Sequence, residues 1–112
     1  MSAEELASGG LVVHVQGQVD LYVVPDLKDR LLDAIDRADG RVVVDVTEST
    51  FLDSTAVSTL VSAHRRAARR GGRVVLVSTS DEIARTLSIT GLDAILDVVE
   101  SVGEARALLD GG

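Results

Sequence analysis

Two periods alternate along this sequence, one of strands and one of helices. Leu11-Val-Val-His-Val-Gln16 is rich in branched residues, with Leu11, Val13 and Val15 on one face and Val12, His14 and Gln16 on the other. Gly17 and Asp20 are expected to end that strand. After Pro25, which suits a first helical turn, Leu27, Leu31, Ala34, Ile35 and Ala38 recur at helical spacing up to Gly40. Asp26, Asp29, Asp33 and Asp36 line the opposite side. Arg41-Val-Val-Val-Asp-Val46 is nearly continuous in valine, as in a strand covered on both faces. Thr47 to Asp53 reads as a loop anchored by Phe51 and Leu52. A second helix follows, with Val57, Leu60, Val61, His64 and Ala68 on one side and Gly71-Gly72 at its end. Arg73–Val77 reads as a buried strand, Asp81–Thr90 as a helix stopped by Gly91, and Ile95–Val99 as a short strand. Ser101 to Leu109 completes the pattern as a helix, with Ser101 and Glu104 spaced as a capping box.

Strand and helix thus alternate four times without repeats or an internal linker. The order predicts a single α/β domain over residues 11–112, with a mainly parallel or mixed four- to five-stranded sheet and about four helices. Residues 1–10, ending in Ser8-Gly9-Gly10, read as a flexible lead-in.

Composition narrows the function. A length of 112 residues is one domain's worth of chain. The absence of cysteine excludes disulfides, thiol nucleophiles and cysteine-ligated metals, and two histidines leave little for an imidazole site. No metal or other cofactor is expected. A formal charge of −7 and only Tyr22 and Phe51 as aromatics argue against nucleic-acid binding, which needs surplus cations or stacking platforms. No apolar run approaches the ~18 residues of a membrane span, and the start is acidic where a secretory signal is basic, so a cytoplasmic protein is expected.

Catalytic motifs are missing. The only lysine is Lys28, and neither GxxxxGK[ST] nor GxGxxG occurs. A phosphoacceptor receiver domain would need an acidic pair after its first strand and a lysine near its last. Ser54 lacks the glycines of a nucleophile elbow, and His64 lies ten positions along the same helix, out of reach. His64 and His14 read as packing histidines. Two charged groups stay open between solvated surface and contact site. One is the aspartate row of the first helix, whose spacing does not wrap an ion. The other is Arg65, Arg66, Arg69, Arg70 and Arg73, either a solvated helix end or a contact surface for an acidic partner.

The informative segment is Asp45 to Ala56, where a buried strand leads through polar residues to Asp53-Ser54-Thr55 at a helix start. Unsatisfied amides there carry a partial positive charge, so a carboxylate and hydroxyls serve equally as caps or as a functional group.

Three stretches together resemble the STAS-domain anti-sigma factor antagonists of bacteria. Gly17-Gln-Val-Asp20 matches that family's Gly-x-[Leu/Val/Ile]-Asp strand end. Phe51-Leu-Asp-Ser-Thr-Ala-Val57 is close to its Phe-[Met/Leu]-Asp-Ser-[Ser/Thr]-Gly-Leu. Gly71-Gly-Arg-Val-Val-Leu-Val77 with Thr90-Gly-Leu92 matches its Gly-Gly strand and later [Ser/Thr]-Gly-Leu. The likeness spans residues 11–109 in the family's order.

The resemblance implies a binding module and no enzyme. In this family the unmodified antagonist binds an anti-sigma factor, a serine kinase of the GHKL type, and frees the sigma factor it held. The kinase phosphorylates the serine after the aspartate, here Ser54 (with Thr55 a secondary acceptor), and a serine phosphatase restores it. Partner contacts are implied for Asp20, Asp53, Ser54, Thr55, Ala56 and Val57, although Asp20 is equally a turn residue. The alternative is a STAS module indifferent to phosphorylation, such as a transport-complex subunit or a nucleotide-binding domain. Ala56 departs from the family's glycine, and its methyl could hinder a kinase backbone. The short lead-in implies that an N-terminal strand seen in some relatives is absent or reduced.

Overall fold

The computed structural model describes residues 1–7 and 9–111. Five strands form one sheet in chain order: β1 (Ser2–Glu5), β2 (Leu11–Val19), β3 (Arg41–Leu52), β4 (Arg73–Val77) and β5 (Asp97–Val99). The helices are α1 (Val24–Arg37), α2 (Ser54–Arg69), α3 (Asp81–Thr90) and α4 (Val102–Asp110). β2, β3, β4 and β5 pair in parallel, while β1 runs antiparallel to β2. The expected α/β domain with a mixed sheet and four helices is what forms.

Right-handed crossovers that always step the same way across a sheet put their helices on one face. Accordingly α1, α2 and α3 cover one side, and the larger core joins Leu27, Leu31 and Ile35 to Val13, Val44, Leu60, Leu76 and Leu87. α4 folds back over the other side, where Val12, Val43, Val75 and Val77 meet Ala105 and Leu109. The valine run of β3 is therefore covered on both faces, as its pattern requires. On α2, Ala67 is buried where Ala68 is expected, because the buried arc is centred on Leu60. At α4, Ser101 Oγ accepts from the Glu104 amide at 3.1 Å, while the Glu104 carboxylate accepts from the Glu100 amide at 3.3 Å.

Several boundaries differ from the sequence pattern. β2 continues through Gly17 to Val19, because Gly17 takes a φ of 75° and absorbs a register shift against β3 without ending the ladder. β3 extends to Leu52, so the expected loop from Thr47 is a strand end held by β2. Of its two expected anchors only Leu52 is buried; Phe51 is 49% exposed. The last strand begins at Asp97, since Leu92–Ala94 form a 3-10 turn.

The lead-in is also structured. Ser2 to Glu5 pair with His14 back to Leu11, whereas a flexible segment is expected there (Ser8 lies outside the described residues). A side-chain bridge reinforces this pairing. α4 covers β3 and β4 but leaves the β1–β2 end of its face open, and there His14 stands between Glu4 (Nε2 to Oε1, 2.9 Å) and Asp45 (Nδ1 to Oδ2, 3.0 Å). His14 is thus an ion-pairing group and not merely a packed ring. The Glu4 hydrogen bond, helped by Asp45 and opposed by burial, raises the His14 pKa above 6.5. Burial pushes Asp45 up, yet hydrogen bonds from Thr47 and His14 outweigh it and hold its carboxyl below the ordinary value.

These shifts predict a pH dependence. A raised folded-state pKa means that His14 stabilises the fold fully below about pH 6.5, and that the gain disappears as pH rises through the folded value. Thermal melts of wild type and His14→Gln should therefore differ most just below pH 6.5 and draw together as pH rises through the raised folded-state value. A constant difference across that range would contradict the bridge.

Candidate functional site

Two loops meet at the carboxyl ends of β2 and β3, the end of an α/β sheet where ligands commonly bind. The first connects β2 to α1. Asp20 organises it: its Oδ1 accepts from the Tyr22 amide at 3.0 Å, and its carbonyl accepts from the Val23 and Val24 amides. α1 then starts at Val24 with Pro25 in its first turn and without a side-chain cap. Asp20 thus acts as a turn residue within the chain. What it turns outward is apolar: Leu21 is 64% exposed and Tyr22 90%.

The second connection is the step from β3 into α2. Asp53 is the N-cap, with its Oδ1 accepting from the Ala56 amide at 2.9 Å and from the Thr55 hydroxyl at 2.6 Å. Its own amide donates to the Val19 carbonyl at 3.2 Å. Asp53 thereby caps α2 with its side chain and joins the end of β2 through its backbone amide. The Thr55 hydroxyl and the Ala56 amide hold the Asp53 carboxyl below its ordinary pKa. Asp53→Ala should lower the melting temperature more than Asp53→Asn, since an amide oxygen still caps. Equal melting temperatures would show that the cap contributes nothing.

Ser54 is the first residue of α2 and is exposed, as is Thr55. The Asp53 carboxylate already takes the Ala56 amide and the Thr55 hydroxyl. An anionic group on Ser54 Oγ would stand beside a like charge. Ala56 and Val57 lie elsewhere: both are buried, at 0% and 3% exposure, so neither is available to a partner on this surface. The Ala56 methyl points into the core, away from any approaching backbone. The exposed large apolar side chains at this end are Leu21, Tyr22 and Phe51, which the sequence pattern assigns to no site. The signal was present in Leu21-Tyr22, an apolar pair between a turn aspartate and Pro25 that fits neither period.

His64 Nδ1 accepts from the Val74 amide at 3.3 Å, so it packs the end of α2 on β4 and has no part at Ser54. Among the described residues no group of three or more His, Cys, Asp or Glu side chains is arranged to hold a metal ion, and no helix is long and apolar enough to cross a membrane.

This architecture has known counterparts. The anti-sigma-B factor antagonist of Listeria monocytogenes is 32% identical over 93 residues, covering 82% of this chain and 81% of the relative. An anti-sigma factor antagonist from Mycobacterium paratuberculosis superimposes with a TM-score of 0.83 at 21% identity, over 97% of this chain and 95% of that one. The unphosphorylated form of the anti-sigma factor antagonist SpoIIAA gives 0.82 at 20% identity, over 99% and 96%. The family description that matches residues 3–105 is the STAS domain, and with that match over nearly its whole length the chain belongs to the STAS domain family.

Proposed function

We propose that this protein is an anti-sigma factor antagonist switched by phosphorylation of Ser54. Unmodified, it binds an anti-sigma factor that is itself a serine kinase, and the bound sigma factor is released. The kinase transfers the γ-phosphoryl group of ATP to Ser54 Oγ; the hydroxyl proton leaves, ADP is the second product, and the complex separates. A serine phosphatase returns the hydroxyl by hydrolysis. The protein contributes no catalytic group to either step, only a surface.

One observation carries this reading. The exposed Ser54 hydroxyl stands at the start of α2, which Asp53 caps, with the exposed Leu21, Tyr22 and Phe51 on the same end of the sheet. Apolar side chains supply contact area when a partner covers them, and the hydroxyl supplies the point at which that contact is vetoed. Neither Ala56 nor Val57 takes part, and Thr55, whose hydroxyl is held by Asp53, is the poorer acceptor of the pair.

Incubation with ATP and the purified cognate kinase should add one phosphate to the wild-type chain and none to Ser54→Ala, while Ser54→Ala still co-elutes with the kinase. Phosphate incorporated equally into Ser54→Ala would move the switch elsewhere. A chain that neither gains mass nor co-elutes would end the proposal. Tyr22→Ala, which removes the most exposed apolar side chain at the site, should weaken that complex by about tenfold or more without changing the melting temperature, as read by titration calorimetry. An unaltered affinity would take Tyr22 out of the interface.

A further inference from the structure

α1 and α2 leave between them an open groove of about 530 Å³. It exists because α2 turns small side chains toward it: Thr55, Ser58, Thr59 and Ser62 recur at the spacing of one helical stripe, above the apolar Leu31 and Leu32 of α1. Farther along, the stripe becomes cationic with Arg66 and Arg69, and Lys28 of α1 joins them. Cations lining one groove are unexpected in a protein of net charge −7. Arg70, just beyond, is occupied by Asp36 and Asp39 at 3.1 and 3.0 Å. Arg66 reaches the same Asp36 only at 3.6 Å. Among the described residues Lys28 and Arg69 make no ion pair.

Charge and length select the occupant. From Thr55 to Arg69 a helix rises roughly 21 Å along a groove that is open to solvent. An extended chain fits, and at ~3.3 Å per residue about six residues span it. No aromatic side chain lines the groove, which leaves a planar ring nothing to stack on. Thr55 both lines the groove and borders Ser54, so the two surfaces are continuous.

The geometry points to a second docking surface: the α1–α2 groove seats an extended acidic segment of the protein that engages Ser54, with its carboxylates on Lys28, Arg66 and Arg69. The identity of that partner rests on the function proposed above; the chemistry of the groove does not.

A hexapeptide of alternating glutamate and serine, titrated into the isotope-labelled full chain, tests the groove directly. It should produce saturable NMR shifts at the Ser58, Ser62 and Arg69 amides. The glutamine counterpart, and the exposed double variant Lys28→Glu with Arg69→Glu, should each bind about tenfold weaker or worse. Salt at about 0.5 M should weaken the acidic peptide further. Equal binding of the glutamine peptide, no shift in the groove, or inorganic phosphate moving the same amides as strongly would overturn the assignment. Groove amides that move with protein concentration alone would also overturn it, in favour of a second copy. Peptide binding that persists while the kinase ignores Ser54→Asp would overturn the Ser54 reading and leave the groove assignment standing.

Discussion

Ser54→Asp, or phosphorylation of Ser54, is expected to weaken the complex with the anti-sigma partner by about a thousandfold. The magnitude follows from desolvation. A surface that receives a neutral hydroxyl has no counter-charge for an anion, and an unpaired buried charge costs several kcal/mol, of which ~4 kcal/mol corresponds to three decades of affinity. A phosphate brings about −1.5 to −2 charges at neutral pH, so it should act more strongly than aspartate. Helix starts ordinarily absorb anions, yet here the Asp53 carboxylate already holds the Ala56 amide and the Thr55 hydroxyl and repels a second negative group. The modified domain should consequently unfold within ~1 kcal/mol of the unmodified one, since an exposed charge at a helix terminus contributes no more than that. Calorimetric titration against the kinase, paired with thermal melts of the free domain, reads both quantities. Affinity unchanged by Ser54→Asp would refute the switch. Lost affinity together with a collapsed melt would mean that the substitution damages the fold instead.

The largest expected effect on stability comes from a residue far from that surface. Gly72, at the entry to β4, lies against Gly40, at the entry to β3, and a Cβ on Gly72 would overlap the Gly40 carbonyl. That carbonyl accepts from the Arg73 amide at 2.9 Å, where the β3–β4 ladder starts. Because the obstacle is backbone, no side chain can swing aside. Gly72→Ala should destabilise the domain by ~3 kcal/mol or more, which for a domain of this size lowers the melting temperature by roughly 10–20 °C. Gly71→Ala is the informative control. Gly71 has a φ of 79° but open space around it, so its cost is conformational only and should be smaller. If the two variants melted together, close packing at Gly72 would not be what matters.

Much of this protein was legible from one dimension. Periodicity placed the helices to within a residue or two, and it placed β4 and the doubly covered valine run of β3, because burial on a helix or strand repeats at a fixed interval. Asp53-Ser54-Thr55 was legible as a helix start for a similar reason: capping is a local interaction whose participants lie within three residues of one another. The spacing of the three STAS-like stretches carried the family.

Other features were not local. β1 is polar and short, and only its pairing with β2 and the bridge from Glu4 through His14 to Asp45 make it a strand. Gly17 reads as a stop until a neighbouring strand supplies the ladder that carries it onward. Phe51 reads as an anchor and Ala56 as surface, yet the structure exposes the one and buries the other. Hydrophobicity states what a side chain prefers; which side chains are covered depends on the elements packed over them. Local order along the chain was thus settled by short-range sterics and hydrogen bonding. The apolar rim around Ser54, the basic groove beside it and the Gly40–Gly72 contact required residues tens of positions apart to meet, and only the packed sheet and helices bring them together.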